Sequence, residues 1–155
     1  MCAGVRHSHV AVYDRILVPT DGSEGSERAV QHAVDLAVAH GASIHALYVV
    51  SVAAYGGLPT GASLEGVDEL LRTDAEDAVQ AVAALADDYD VPCQTAIRDG
   101  SPSERIVRYA EANDCDLIMM PTHGRGGIDR LLLGSTAEKV VRSATVPVTT
   151  LRVDE

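Results

Sequence analysis

Between Met119 and Thr136 the chain reads Met-Met-Pro-Thr-His-Gly-Arg-Gly-Gly-Ile-Asp-Arg-Leu-Leu-Leu-Gly-Ser-Thr. These residue types, in this order, suit the holding of an anion. Gly124, Gly126 and Gly127 let backbone N–H groups approach closely, and Arg125 and Arg130 bring positive charge. Gly134, Ser135 and Thr136 stand where a helix should open, with unpaired N–H groups and the positive end of its dipole. A second polar turn, Pro19-Thr20-Asp21-Gly22-Ser23, offers a carboxylate and hydroxyls after another apolar run. Each motif alone has a plainer reading. Asp21 and Ser23 serve as helix caps, Ser135 as another, and the glycines as a loop. Two such motifs at two strand ends favour a nucleotide over caps alone. His123 reads as a loop hydrogen-bonding residue rather than a catalytic base, and Met119 and Met120 as core, Met120 within reach of a ligand. His7 and His9 stand two apart without further ligands near them, which is poor material for a metal site.

The elements that must position these motifs follow from periodicity. Arg15–Pro19 is a short buried strand, and a helical stripe then runs through Ala29, Val30, Ala33, Val34, Ala37 and Val38 until Gly41 stops it. Ser43–Val50 is a second strand. The glycine-bearing stretch from Ser51 to Ser63 connects it to a helix over Leu64–Tyr89, whose apolar face includes Val67, Leu70, Leu71, Ala75, Ala78, Val79, Val82 and Leu85. Val91–Arg98 is a third strand. Ser101 as N-cap and Pro102 at the first helical position open a helix over 103–113. Strand Leu117–Pro121, helix Thr136–Ser143 and strand Val146–Leu151 complete the chain. Alternating strands and helices predict an α/β fold: a three-layer α/β/α open sandwich on a five-stranded parallel sheet. Ligands of such sheets bind beyond the carboxyl ends of strands whose connections diverge. Residues 1–13 read as a loosely ordered extension and residues 14–155 as a single domain.

Composition narrows the class of function. Among 155 residues, 23 are acidic and 12 basic, a formal net charge of −11. Such a surface argues against nucleic acid and anionic membranes as partners. Lys139 is the only lysine, and a chain that is acidic and depleted of lysine resembles proteins of salt-loving organisms more than merely acidic ones. No apolar run reaches the roughly 18 residues of a membrane span, and Met1–Val12 lacks the apolar core of a signal peptide. The cysteines, Cys2, Cys93 and Cys115, are scattered and odd in number, as expected of a reduced cytoplasmic protein.

Several of these motifs together resemble the universal stress protein family. They are Val18-Pro19-Thr20-Asp21-Gly22-Ser23, His123-Gly124-Arg125-Gly126-Gly127, Leu131-Leu132-Leu133-Gly134-Ser135, Glu138-Lys139-Val140-Val141 and Val146-Pro147-Val148. The resemblance extends from Asp14 to Val153. It implies a Rossmann-like sheet of strand order 3-2-1-4-5. It also implies a regulatory, stress-response protein that binds ATP, AMP or ADP, with or without Mg2+, and lacks efficient catalysis. The ATP-binding branch carries a glycine, two residues, a second glycine, nine residues, then glycine with serine or threonine. Gly124, the nine residues Arg125–Leu133, and Gly134-Ser135 fit that pattern, but Pro121 stands in place of the first glycine and removes one N–H donor.

Residue by residue, the resemblance implies that Pro19, Thr20 and Asp21 line the nucleoside end, and that Val49 packs against adenine and offers it backbone hydrogen bonds. Gly124 would approach the phosphates, Arg125 would add charge, and Gly134, Ser135 and Thr136 would bind them. A homodimer through the C-terminal edge strand is also implied. The alternative is a ligand-free dimeric interaction module of the same fold. An ATP-using synthetase is disfavoured, because Thr20-Asp21-Gly22-Ser23-Glu24-Gly25-Ser26 is not a pyrophosphatase loop. A receiver domain is disfavoured because Lys139 precedes the last strand.

Overall fold

A computed structural model of the chain describes residues 12–51, 64–123 and 133–152. In chain order the elements are β1 (Arg15–Pro19), α1 (Glu24–His40), β2 (Ser43–Val50), α2 (Leu64–Asp88), β3 (Cys93–Asp99), α3 (Pro102–Ala112), β4 (Leu117–Pro121), α4 (Ser135–Ser143) and β5 (Val148–Leu151). The sheet is parallel throughout, as the alternation of elements predicts, and ordered β3-β2-β1-β4-β5, the order that the family resemblance implies.

The central strands are apolar on both sides because helices cover both faces. Ile16, Val18, Ile44, Ala46, Leu117 and Met119 point to one face, where they meet Ala29, Val30, Ala33 and Val34 of α1 and Val79 and Val82 of α2. Their neighbours Leu17, Leu47, Ile118 and Met120 point to the other and meet Ile106, Tyr109 and Ala110 of α3 and Ala137 and Val140 of α4. With no Trp or Phe, the core is built mainly from Val, Ala, Leu, Ile and Met, joined by Tyr109 and Cys115. Among the described residues no helix is long and apolar enough to cross a membrane.

Helix ends follow local chemistry. The Ser23 side chain accepts from the Ser26 amide at the start of α1, and Gly41, at φ 67°, closes that helix in the left-handed conformation. Pro102 takes the first position of α3 as expected, but Ser101 makes no side-chain capping bond. α4 begins one residue earlier than its periodicity suggests, with Gly134 rather than a hydroxyl residue as N-cap. β3 and β5 each begin two residues late. The Val91 amide is taken by the Ala86 carbonyl at 2.9 Å, and Pro92 and Pro147 lack the N–H a ladder needs.

Two apolar residues depart from the expected stripes. Val38 is 54% and Leu70 63% exposed. At about 100° per residue, Val38 lies about 110° round α1 from the centre of its buried face, and Leu70 lies on the far side of α2. Of the N-terminal extension, residues 1–11 lie outside the described residues. Tyr13 packs edge-on against His40 with ring centroids 5.2 Å apart.

Candidate functional site

A crevice opens where β1 and β4 part. The two strands pair only at Ile16 with Leu117 and at Leu17 with Ile118, although β1 continues to Pro19 and β4 to Pro121. Each strand ends in proline followed by threonine, and each threonine turns to its outer neighbour. The Thr20 amide donates to the Leu47 carbonyl of β2 and the Thr122 amide to the Leu151 carbonyl of β5, both at 2.9 Å. The chain then leaves β1 for α1 on one face and leaves β4 toward α4 on the other. This is the divergence at which ligands enter sheets of this kind.

On the β1 side the loop is knitted by its own hydroxyls. Oδ1 of Asp21 accepts from the Ser23 amide at 2.9 Å and from the Ser26 hydroxyl at 2.7 Å. The Thr20 hydroxyl accepts from the Gly22 amide at 3.2 Å, and Gly22 takes φ 78°. Ser26, only 2% exposed, is a structural member of this loop that motif reading passed over. Its signal was present as a serine three residues after the N-cap, where a side chain can reach back. Of the two residues the plainer reading took as caps, Ser23 caps α1, while Asp21 braces the cap by accepting from the Ser23 amide and the Ser26 hydroxyl at the carboxyl end of β1.

On the β4 side the close approach is at Gly134. Its amide donates to the Thr122 carbonyl at 2.6 Å. A Cβ at position 134 would stand 3.1 Å from that same oxygen and 3.4 Å from Cα of His123. The preference for glycine here comes from this close approach and not from the backbone angle, since its φ of −70° suits any residue. Ser135 and Thr136 follow as the first two residues of α4, with the unpaired amides of a helix start. The Thr122 hydroxyl and Nδ1 of His123 are 3.1 Å apart, and among the described residues Nε2 of His123 is buried without a partner. Thr122 and His123 therefore belong to this corner more firmly than the sequence suggested.

Pro19, Val49, Met120 and Pro121 stand at the carboxyl ends of three neighbouring strands. Val49 is half-buried and Met120 5% exposed, and both pack on the α3–α4 side of the sheet. Gly124 and Arg125, with Gly126, Gly127 and Arg130, lie outside the described residues. Among the described residues no group of three or more His, Cys, Asp or Glu is arranged to hold a metal ion.

A buried polar pair sits on the same α3–α4 face of the sheet, away from the crevice. Nδ1 of His45 lies 3.0 Å from the Tyr109 hydroxyl, and Arg98 stacks over the Tyr109 ring at 5.5 Å. Burial, aided by the charge of Arg15, lowers the His45 pKa, and burial is also the main cause that raises the Tyr109 phenol. A neutral imidazole accepting from a protonated phenol satisfies both groups.

Residues 12–152 match the sequence model of the universal stress protein family. The universal stress protein MJ0531 of Methanocaldococcus jannaschii is 40% identical over 137 residues, covering 88% of this chain and 81% of that one. Among solved structures, the universal stress protein UspA from Lactobacillus plantarum superposes with a TM-score of 0.75 at 32% identity, covering 90% of this chain and 98% of that one. A universal stress protein in complex with cAMP shares the fold, with a TM-score of 0.66 at 21% identity over 90% of this chain and 97% of that one.

Proposed function

Because the chain belongs to the universal stress protein family, we propose that it is a regulatory, stress-response protein that takes ATP, ADP or AMP into the crevice between β1 and β4. The observation that carries this reading is the parting of those strands after Leu17 and Ile118, with Thr20 and Thr122 bonded outward to Leu47 and Leu151. Pro19, Val49 and Met120 supply an apolar wall for a base, and Thr20 and Asp21 supply polar groups for the ribose. The α4 N-terminus at Gly134, Ser135 and Thr136 supplies amide donors for phosphate. That a protein of this fold holds cAMP supports the fold's capacity for an adenine nucleotide.

We assign the chain no efficient turnover. Its only lysine, Lys139, follows the start of α4 and is not in the loop that would cradle phosphates, so the lysine of phosphoryl-transfer loops has no counterpart there. Mg2+ accompanying the phosphates would be held mainly by the nucleotide itself. β5 lies at the sheet edge with all four residues half-buried. We assign it the pairing of two copies into a homodimer, since an edge strand leaves N–H and C=O groups open to a second chain.

A second reading, a dimeric module without nucleotide, is favoured by Pro121, which is buried at the end of β4 and has no N–H to offer a phosphate. Chromatography of the supernatant from denatured pure protein separates the two. Adenine nucleotide released in proportion to protein supports the first. Its absence, with no calorimetric binding of ATP, ADP or AMP and a persistent dimer, supports the second.

A further inference from the structure

A groove that adjoins the crevice at Thr20 and Gly22 runs between α1 and α2, with a volume of about 530 Å³. Its floor is apolar: Val30 and Val82 are 4% and 3% exposed, and Leu85 is half-buried beside them. It exists because α2 presents Ala78 and Ala81 where larger side chains would fill the space against α1. Its rim is acidic. Glu27 stands on α1 and Asp74 and Asp77 on α2, all exposed, and among the described residues none has an ion-pair partner.

We propose that this groove docks a basic amphipathic helix from a partner protein. An apolar floor inside a rim of one charge recognises a helix with an apolar stripe flanked by the opposite charge. From Asp74 to Leu85 the α2 wall extends about 16 Å, the length of about three helical turns, which suits a peptide helix better than a small organic cation. Three carboxylates in a chain of net charge −11 repel acidic partners and anionic lipid, leaving a cationic protein segment as the occupant. The inference goes beyond nucleotide binding and does not depend on it, although Thr20 and Gly22 close one end of the groove.

The probe is a Leu/Lys amphipathic helical peptide titrated into the isotopically labelled full chain without nucleotide, at a salt concentration where circular dichroism shows the fold intact. Resonances of α1 and α2 residues lining the groove should shift saturably. The double substitution Asp74→Lys, Asp77→Lys should weaken the peptide by about tenfold or more. Ala78→Trp should weaken it similarly by filling the floor without changing charge. Asp87→Lys with Asp88→Lys, outside the groove on the same helix, should leave affinity within about twofold. Shifts scattered over the acidic surface, or equal loss in the control pair, would overturn the proposal. So would competition by spermidine at comparable concentration, which assigns the groove to small cations. Concentration-dependent shifts of the same residues without peptide would assign it to a second copy and also overturn it.

Discussion

The Gly134 amide donates to the Thr122 carbonyl at 2.6 Å, so the end of β4 and the start of α4 meet at one point. The helix N-terminus is thereby fixed beside the strand end at which the crevice opens. The contact tolerates no larger residue at 134 without movement, because a Cβ there would be 3.1 Å from the carbonyl oxygen.

Substitution at this contact should separate packing from nucleotide binding by size. Gly134→Ala should cost less than Gly134→Val, which should destabilise the fold by about 1–3 kcal/mol through overpacking. Chemical denaturation measures the stability change. For both variants the loss of ATP affinity should exceed the loss of stability, since the shift displaces the α4 amides. Equal stability of Gly134→Val and the parent would contradict the tight contact.

Asp21 is expected to show two effects that Asn separates. Asp21→Ala removes the acceptor for the Ser23 amide and the Ser26 hydroxyl, and should cost about 1–2 kcal/mol through the loss of these two hydrogen bonds. Asp21→Asn keeps one oxygen acceptor and should recover most of that stability. Nucleotide affinity should remain reduced in both, as read by calorimetry.

His45 predicts an acid-side loss of stability. Its folded pKa is lowered from the ordinary 6.5, first by burial and then by Arg15. As pH falls below 6.5, the unfolded chain takes up a proton that the folded imidazole resists. The contribution is therefore present in full above 6.5 and is lost as pH falls from there toward the folded value. Arg98, over the Tyr109 ring, adds a second cation near the pair. Thermal denaturation of His45→Gln should show a shallower drop in Tm across that window than the parent. Parallel curves would contradict the assignment.

The Cys115 thiol should be inert in the folded protein. It is 3% exposed, and burial is the main cause that pushes its pKa up to about 11. At pH 8 about one thiol in a thousand is then thiolate, the reactive form. Peptide mapping after iodoacetamide should show Cys115 unmodified in the native chain and modified in denaturant. Native labelling would contradict its burial.

Much of this arrangement was legible in the residues. Short apolar runs alternating with helical stripes specified a parallel sheet, and the fragments Pro19–Ser23 and Gly134–Thr136 marked strand and helix ends by their turn chemistry. What local pattern could not carry was tertiary. Nothing near His45 in sequence announces Tyr109, 64 positions away, as its buried partner. Val38 and Leu70 are apolar, yet Val38 lies beyond the edge of the face that α1 buries and Leu70 on the far side of α2, and the packing of the helices decides which face is buried. Ser26 looked like an ordinary helix residue, because its role depends on the turn that folds Asp21 back over it. The preference for glycine at 134 was visible as a motif but not as a distance, since it arises from the carbonyl of Thr122.

Calorimetric titration of the purified full chain with ATP, ADP and AMP in molar KCl tests the nucleotide crevice most directly. Saturable one-site binding with Kd below about 100 µM for at least one of them, lost in Gly134→Val and weakened in Asp21→Ala, is the predicted result. No binding of any of the three by a folded chain from which denaturation releases no nucleotide would contradict it.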